Sequence, residues 1–414
     1  MPLSKTINIK KNIKKYIYQN SQKTIRFNPN DKGTLIGLPY RYTVPCASEM
    51  FQEMYYWDTY FTNVGLLVEK NAELAKNNVD NMLYMVEKYG FMPNGNRTFY
   101  LNQSQPPFLS QMVKEIYEAV YDKEWLTSAY SILKIEYSFW QEKRMLQNGL
   151  NSYTGHEIKE DSIDRIAEYG LSRMGYKPKV FKDEIKRTIY SAIRSFCESG
   201  WDCNSRFLEK PHEFNWVCLN SLLYGMESNM LYFSKVLENG EEEIWKTRTE
   251  ERKAKMQTLW KEDEGIFKDY NPYTEKFSDY ASAATFYALF SGLATPEQAK
   301  SIVAALPRFE LEYGVSAGEE NPAWNGQWDY PNIWAPIQLI VYNGLMNYGY
   351  TEDAERIARK YIKLIEKNFA ETGNLWEKYN GHTAVNTNEE YDAAKMLGWT
   401  AGVYTYFCNE IDKK

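Results

Sequence analysis

The sequence predicts an all-α protein built from paired helices, and three observations carry that prediction. Apolar residues recur at helical spacing, start and stop signals bracket those stretches, and alternating β patterns are scarce. The first clear stripe is Val79, Met82, Leu83 and Val86, and Gly90 supplies its stop. Leu126, Ala129, Leu133 and Trp140 keep the same period. In "TPEQAKSIVAALP", Thr295 stands as N-cap, Pro296 enters the first turn and Gln298 completes a capping box. Ala354, Ile357, Ala358, Tyr361 and Ile365 give a further apolar face. At roughly 35 residues per helix and loop, about twelve helices use up the length. No Ser/Gly linker or composition break divides the chain. The expected layout is one domain over residues 1–414, with 1–44 as a possible N-terminal extension.

Composition narrows the function. The chain has 414 residues and is 43% hydrophobic, enough for a substantial core. Its net charge is −6 and no basic tract runs along it, which argues against nucleic acid as a partner. No stretch approaches the roughly 18 uninterrupted apolar residues of a membrane helix, so no membrane partner is expected. The basic run "KTINIKKNIKKYIY" alternates with isoleucine and lacks the apolar core of a secretory signal. It reads as a solvated strand or helix edge. Cys46, Cys197, Cys203, Cys218 and Cys408 fit no zinc spacing. No metal or other cofactor is expected, and reduced thiols in the cytoplasm are the simplest account. Aromatic residues reach 16%, with 34 Tyr and 12 Trp. Flat apolar faces with polar tips suit concave carbohydrate sites, so a small carbohydrate is the expected partner.

Between the helices lie irregular segments rich in Asn, Gly, Pro and aromatics, at 90–108, 198–207, 321–336 and 375–391. Long loops of this kind usually carry function. They hold carboxyls in aromatic company. Asp202 follows Trp201, Glu377 follows Trp376, Glu390 precedes Tyr391, and Asp58 and Asp329 each follow a Trp. Aromatic neighbours lower local polarity, which favours the protonated form of a carboxyl. Glycoside hydrolysis needs one carboxyl to protonate the leaving oxygen and another to activate water or attack the sugar.

The same segments carry a resemblance. "FQEMYYWDTYF" resembles the first signature of the trehalases of glycoside hydrolase family 37, and "QWDYPNIWAP" is similar to the second almost residue for residue. "PNGNRTFYLNQSQPPF", "ESGWDCNSR" and "EKYN…EEYDAAKMLGWTAGV" resemble three further segments in the same order, so the likeness spans Pro45 to Val403. The resemblance implies an (α/α)6 barrel and an inverting hydrolysis without metal. It implies Asp202 as general acid and Glu377 as general base. Glu390 falls on a second glutamate that holds the sugar or the water. Trp57, Asp58, Asn94, Gln105 and Trp328 fall on sugar-contacting positions, and Phe51 on an aromatic wall. Gln103 and Asp329 complete the expected binding set.

The pattern also departs from the family. Met50 and Gln103 stand where it has arginines that grip sugar hydroxyls. Ser152 and Lys177 also replace arginines, Lys179 replaces a glutamate, and "TAVNTN" replaces a glycine-rich run. Arginine forks are not interchangeable with these side chains. The expected substrate is therefore trehalose or a related α-glucosyl disaccharide or glucoside. Lys177 and Lys179 bring in an anionic leaving group as a variant of that reading. Two other classes compete. A sugar epimerase of the same architecture would use histidine, and His156, His212 and His382 all fall outside the matched motifs. A non-catalytic sugar-binding relative would not need Asp202, Glu377 and Glu390 together.

Overall fold

In the computed structural model, residues 3–47, 50–153, 163–173, 183–206, 210–320, 326–387, 393–395 and 398–413 are described. They contain fourteen α-helices. These are α1 (Leu3–Ser21), α2 (Tyr56–Val68), α3 (Ala72–Tyr89), α4 (Leu109–Val120), α5 (Lys123–Lys143), α6 (Ile163–Arg173) and α7 (Asp183–Ser199). Then follow α8 (Val217–Leu237), α9 (Glu242–Met256), α10 (Phe286–Phe290), α11 (Pro296–Ala305), α12 (Ala335–Asn347), α13 (Thr351–Thr372) and α14 (Gly398–Asp412). Helices α2, α4, α8, α10, α12 and α14 each pack on the next, and α14 returns to α2, so they close a ring. Outside it, α3 packs on α2 and α4, α5 on α4 and α8, α9 on α8, and α13 on α12 and α14. Helix α1 joins the outer layer against α13 and α14. The architecture is an (α/α)6 barrel. The count exceeds twelve because α6 and α7 form an additional hairpin between α5 and α8.

Side-chain pattern sorts the two layers. Inner helix α12 buries Ile337, Leu339, Ile340, Val341 and Leu345, with little polar face. Outer helix α13 buries Ala354, Ile357, Ala358, Tyr361 and Ile365 as the periodicity predicts. The stripes of α3 and α5 are likewise buried. Caps fall where the sequence places them. Gly90 ends α3 with φ +81°, and Thr295 and Gln298 form the reciprocal capping box of α11. The basic N-terminal run is a helix: Ile13 and Ile17 are buried and Lys11, Lys14 and Lys15 face solvent. Strands among the described residues are short antiparallel pairs. One pair matters for the site: Asn332–Trp334 joins Lys378–Asn380, with Lys378 opposite Trp334.

The ring closes at two glycines. A Cβ on Gly65 of α2 would come within 2.6 Å of the Gly402 Cα of α14, and a Cβ on Gly402 within 2.1 Å of the Phe61 carbonyl oxygen. The two backbones meet with no room for a side chain between them. Gly402→Ala should therefore destabilise the fold by about 1–3 kcal/mol in denaturant unfolding, through overpacking. A gain approaching about 1 kcal/mol, which alanine gives in an unobstructed helix, would contradict this packing.

Candidate active site

A cavity of about 600 Å³ opens where the inner helices begin. The start of α2 contributes Trp57 and Asp58, and the loop between α3 and α4 contributes Asn94, Tyr100, Gln103 and Gln105. The turn after α7 brings Gly200 and Asp202. The segment before α12 brings Gln327, Trp328 and Trp334, and that between α13 and α14 brings Glu377. Trp399 lies in the first turn of α14. Met50, Phe51, Tyr55 and Cys197 complete the lining.

Tryptophans form much of the wall. Trp328 stacks on Trp334 with ring centres 3.9 Å apart and on Trp201 at 5.6 Å. Trp57 lies 5.4 Å from Trp328 and 6.0 Å from Trp399. Each wall segment has its own anchor. Gly200, at φ +71°, passes so close to the Trp57 indole that a Cβ would lie 2.7 Å from it. Past Asp202, the Arg206 guanidinium sits between the Trp201 and Trp216 rings and donates to both oxygens of Asp269. Asp269 also accepts from the Val217 amide at 2.8 Å, which ties the turn to the start of α8. Opposite, Arg144 holds Glu198 in a buried two-point pair at 2.8 Å. The Glu198 carboxylate accepts the Ser104 amide at 2.8 Å, which fixes the loop that carries Gln103 and Gln105. The Gln105 side-chain oxygen accepts the Trp57 amide, and Asn94 donates to the carbonyls of Ser104 and Cys197.

Three carboxyls share this cavity: Asp58, Asp202 and Glu377. Asp58 and Glu377 are buried, Asp202 half-buried. Burial above all, opposed by its own helix-start backbone amide and aided by the negative charges of Glu377 and Asp202, pushes the Asp58 carboxyl up to about 8. Burial holds the Cys46 thiol protonated, and the charges of Glu377 and Asp58 add to it. Asp58 thus lies within electrostatic reach of both Glu377 and Asp202. Such a group can hold and move protons between a donor and an acceptor. Among the described residues no His, Cys, Asp and Glu cluster is arranged to hold a metal.

The sequence profile of the family described as Trehalase matches residues 4–412. The chain belongs to the trehalase family. It is 32% identical over 382 residues to a cytosolic neutral trehalase of Emericella nidulans, covering 80% of this chain and 51% of that protein. It is 31% identical over 398 residues to a periplasmic trehalase of Xanthomonas oryzae pv. oryzae, covering 91% of this chain and 69% of that protein. The chain thus spans about half the length of the first relative. A solved neutral trehalase of Saccharomyces cerevisiae superposes with a TM-score of 0.76 at 29% identity, covering 93% of this chain and 76% of that one.

Within this trehalase-family barrel, the cavity brings together nine of the residues expected from the sequence: Phe51, Trp57, Asp58, Asn94, Gln103, Gln105, Asp202, Trp328 and Glu377. Asp329, expected to contact sugar, does not line it. Its carboxylate accepts the amides of Ser205 and Gly326 at 2.7 Å and the Ser205 hydroxyl at 2.9 Å, so it laces two wall loops together. Met50 and Gln103 line the cavity, whereas Ser152 is buried outside it and donates to the His212 carbonyl. Glu390, Lys177, Lys179 and His156 lie outside the described residues. His212 and His382 do not line the cavity. The sequence reading missed Tyr55, Tyr100, Gln327, Trp334 and Trp399. Trp334 and Trp399 both sit inside the quoted family segments, which was the available signal.

Asp58 has a measurable cost. Its folded value of about 8 lies above the ordinary 3.8. Between those limits the native state keeps a proton that the unfolded chain has released, so stability falls as pH rises through that window. Asp58→Asn removes this slope. Its melting temperature should gain on the parent's progressively from pH 5 to pH 8; parallel curves would refute the burial argument.

Proposed function

We propose that the chain is an inverting glycoside hydrolase acting on trehalose or a closely related small α-glucoside. The observation that carries the reading is the convergence of Asp58, Asp202 and Glu377 in one aromatic-walled cavity. Membership in the trehalase family supports it. Asp202 protonates the glycosidic oxygen as the bond to the anomeric carbon breaks. Glu377 takes a proton from the water that attacks the opposite face of that carbon. Inversion needs the two carboxyls about 6.5–9.5 Å apart, with the water between them. Trp57, Trp328 and Phe51 wall the first sugar, and Asp58, Asn94 and Gln105 bind its hydroxyls. Gln103 and Met50 face the leaving group with one amide and one thioether, a softer grip than a pair of arginines. A cytoplasmic setting is part of the same proposal, supported by reduced cysteines in a chain whose relatives carry both cytosolic and periplasmic names.

Asp202→Asn and Glu377→Gln should each lower kcat on trehalose by about 10²–10⁴-fold, the usual share of a general acid or base. Variants that keep the full rate would overturn both roles. Proton NMR of the first products adds an independent check. Inversion releases one β-glucose and one α-glucose per trehalose before mutarotation, whereas retention releases α-glucose alone.

A further inference from the structure

The barrel holds a second large cavity, at its other end. Its volume is about 620 Å³, close to the roughly 600 Å³ of the candidate active site. It is lined from α4, α8, α12 and α14 and from the turn that ends α10. Aromatic rings separate the two. Trp57 of the first cavity contacts Phe61, Phe61 contacts Phe108, and Phe108 contacts Phe290, which lines the second. Tyr60 stacks on Phe108 at 4.6 Å within this layer.

The two linings differ in kind. Among the described residues, neither a carboxylate nor a tryptophan lines the second cavity. It is lined instead by amides and hydroxyls, chiefly Ser110, Gln111, Asn229, Ser291, Asn343 and Tyr406. Part of their bonding is spent within the wall. Asn229 Nδ2 donates to Ser110 Oγ and Gln111 Oε1 at 3.3 Å, and the Tyr406 hydroxyl donates to Asn343 Oδ1 at 3.2 Å. Part is left over: the buried Ser291 Oγ has no hydrogen-bond partner among the described residues. Asn229, itself 7% exposed, keeps its side-chain oxygen for a further donor. Buried amides and hydroxyls without partners are costly, and a ligand that supplies hydroxyls relieves that cost.

Charge points the same way. The cation at the rim, Lys114, lies over the Tyr232 ring at 5.4 Å. Behind Gln111, which donates to it at 2.9 Å, Glu115 is pushed up to about 7 by burial, so it carries reduced charge near neutrality. Neutral amides, hydroxyls and the rings of Phe290, Tyr348 and Tyr406 match a sugar's hydroxyls and its apolar face. We propose that this cavity is a second binding site for a small neutral sugar, a mono- or disaccharide, independent of the candidate active site.

D-glucose is the probe, with the full chain carrying Glu377→Gln. Tryptophan emission reports the first cavity, which Trp57, Trp328, Trp334 and Trp399 line. Saturation-transfer NMR reports total binding. The total isotherm should contain a component absent from the emission isotherm. Asn343→Leu and Ser291→Val should each weaken that component by about 10-fold or more, the loss expected for one buried hydrogen-bonding group. An unchanged emission isotherm in those variants shows that the barrel is intact. The proposal is overturned if total binding follows emission alone, or if the added component persists unchanged in both variants. Loss of the emission response by itself speaks to the candidate active site and leaves this proposal standing.

Discussion

The contact between the first and last inner helices is the constraint on which the rest of this structure depends. Gly65 and Gly402 let α2 and α14 meet backbone to backbone. That approach brings the start of α2 beside the start of α14. Trp57 thereby reaches Trp399 at 6.0 Å, and Asp58 comes within the electrostatic reach of Glu377. Residues from opposite ends of the sequence become one wall. A ring that stayed open at this point would have helices and loops but no shared cavity.

Closing the ring also creates its main energetic conflict. The wall is tryptophan and tyrosine, and it holds three carboxyls. Burial disfavours the ionised form of Asp58, and the charges of Glu377 and Asp202 beside it add to that. The protein offsets this around the cavity. Arg144 with Glu198 and Arg206 with Asp269 are buried pairs whose acids also accept backbone amides. These pairs hold the loops that carry the cavity lining in place. Asp329 belongs to this supporting set. Its oxygens are taken by Ser205 and Gly326 rather than turned to the cavity.

How much of this was legible in the sequence depends on the range of the interaction. Stripes such as Val79 to Val86 and the capping box at Thr295 are local, and they appear as read. The aromatic segments pointed to the cavity through their Trp-Asp pairs, of which Asp58 and Asp202 line it and Asp329 does not. What stayed hidden was non-local. Asp329 and Asp58 both follow a tryptophan, and only packing separates a loop tie from a cavity carboxyl. Trp334 enters the wall through the strand pair with Lys378–Asn380, a register that spans two loops. The second cavity draws on five helices, α4, α8, α10, α12 and α14, which meet only in the folded barrel.

The most direct test of the central claim is a crystal structure of the Glu377→Gln protein with trehalose. The account predicts one glucose against Trp57 and Trp328, with the glycosidic oxygen within hydrogen-bonding distance of the Asp202 carboxyl. It predicts a water beside residue 377 on the far side of the anomeric carbon. Trehalose bound with its glycosidic oxygen facing away from Asp202, or bound outside the cavity altogether, would contradict it.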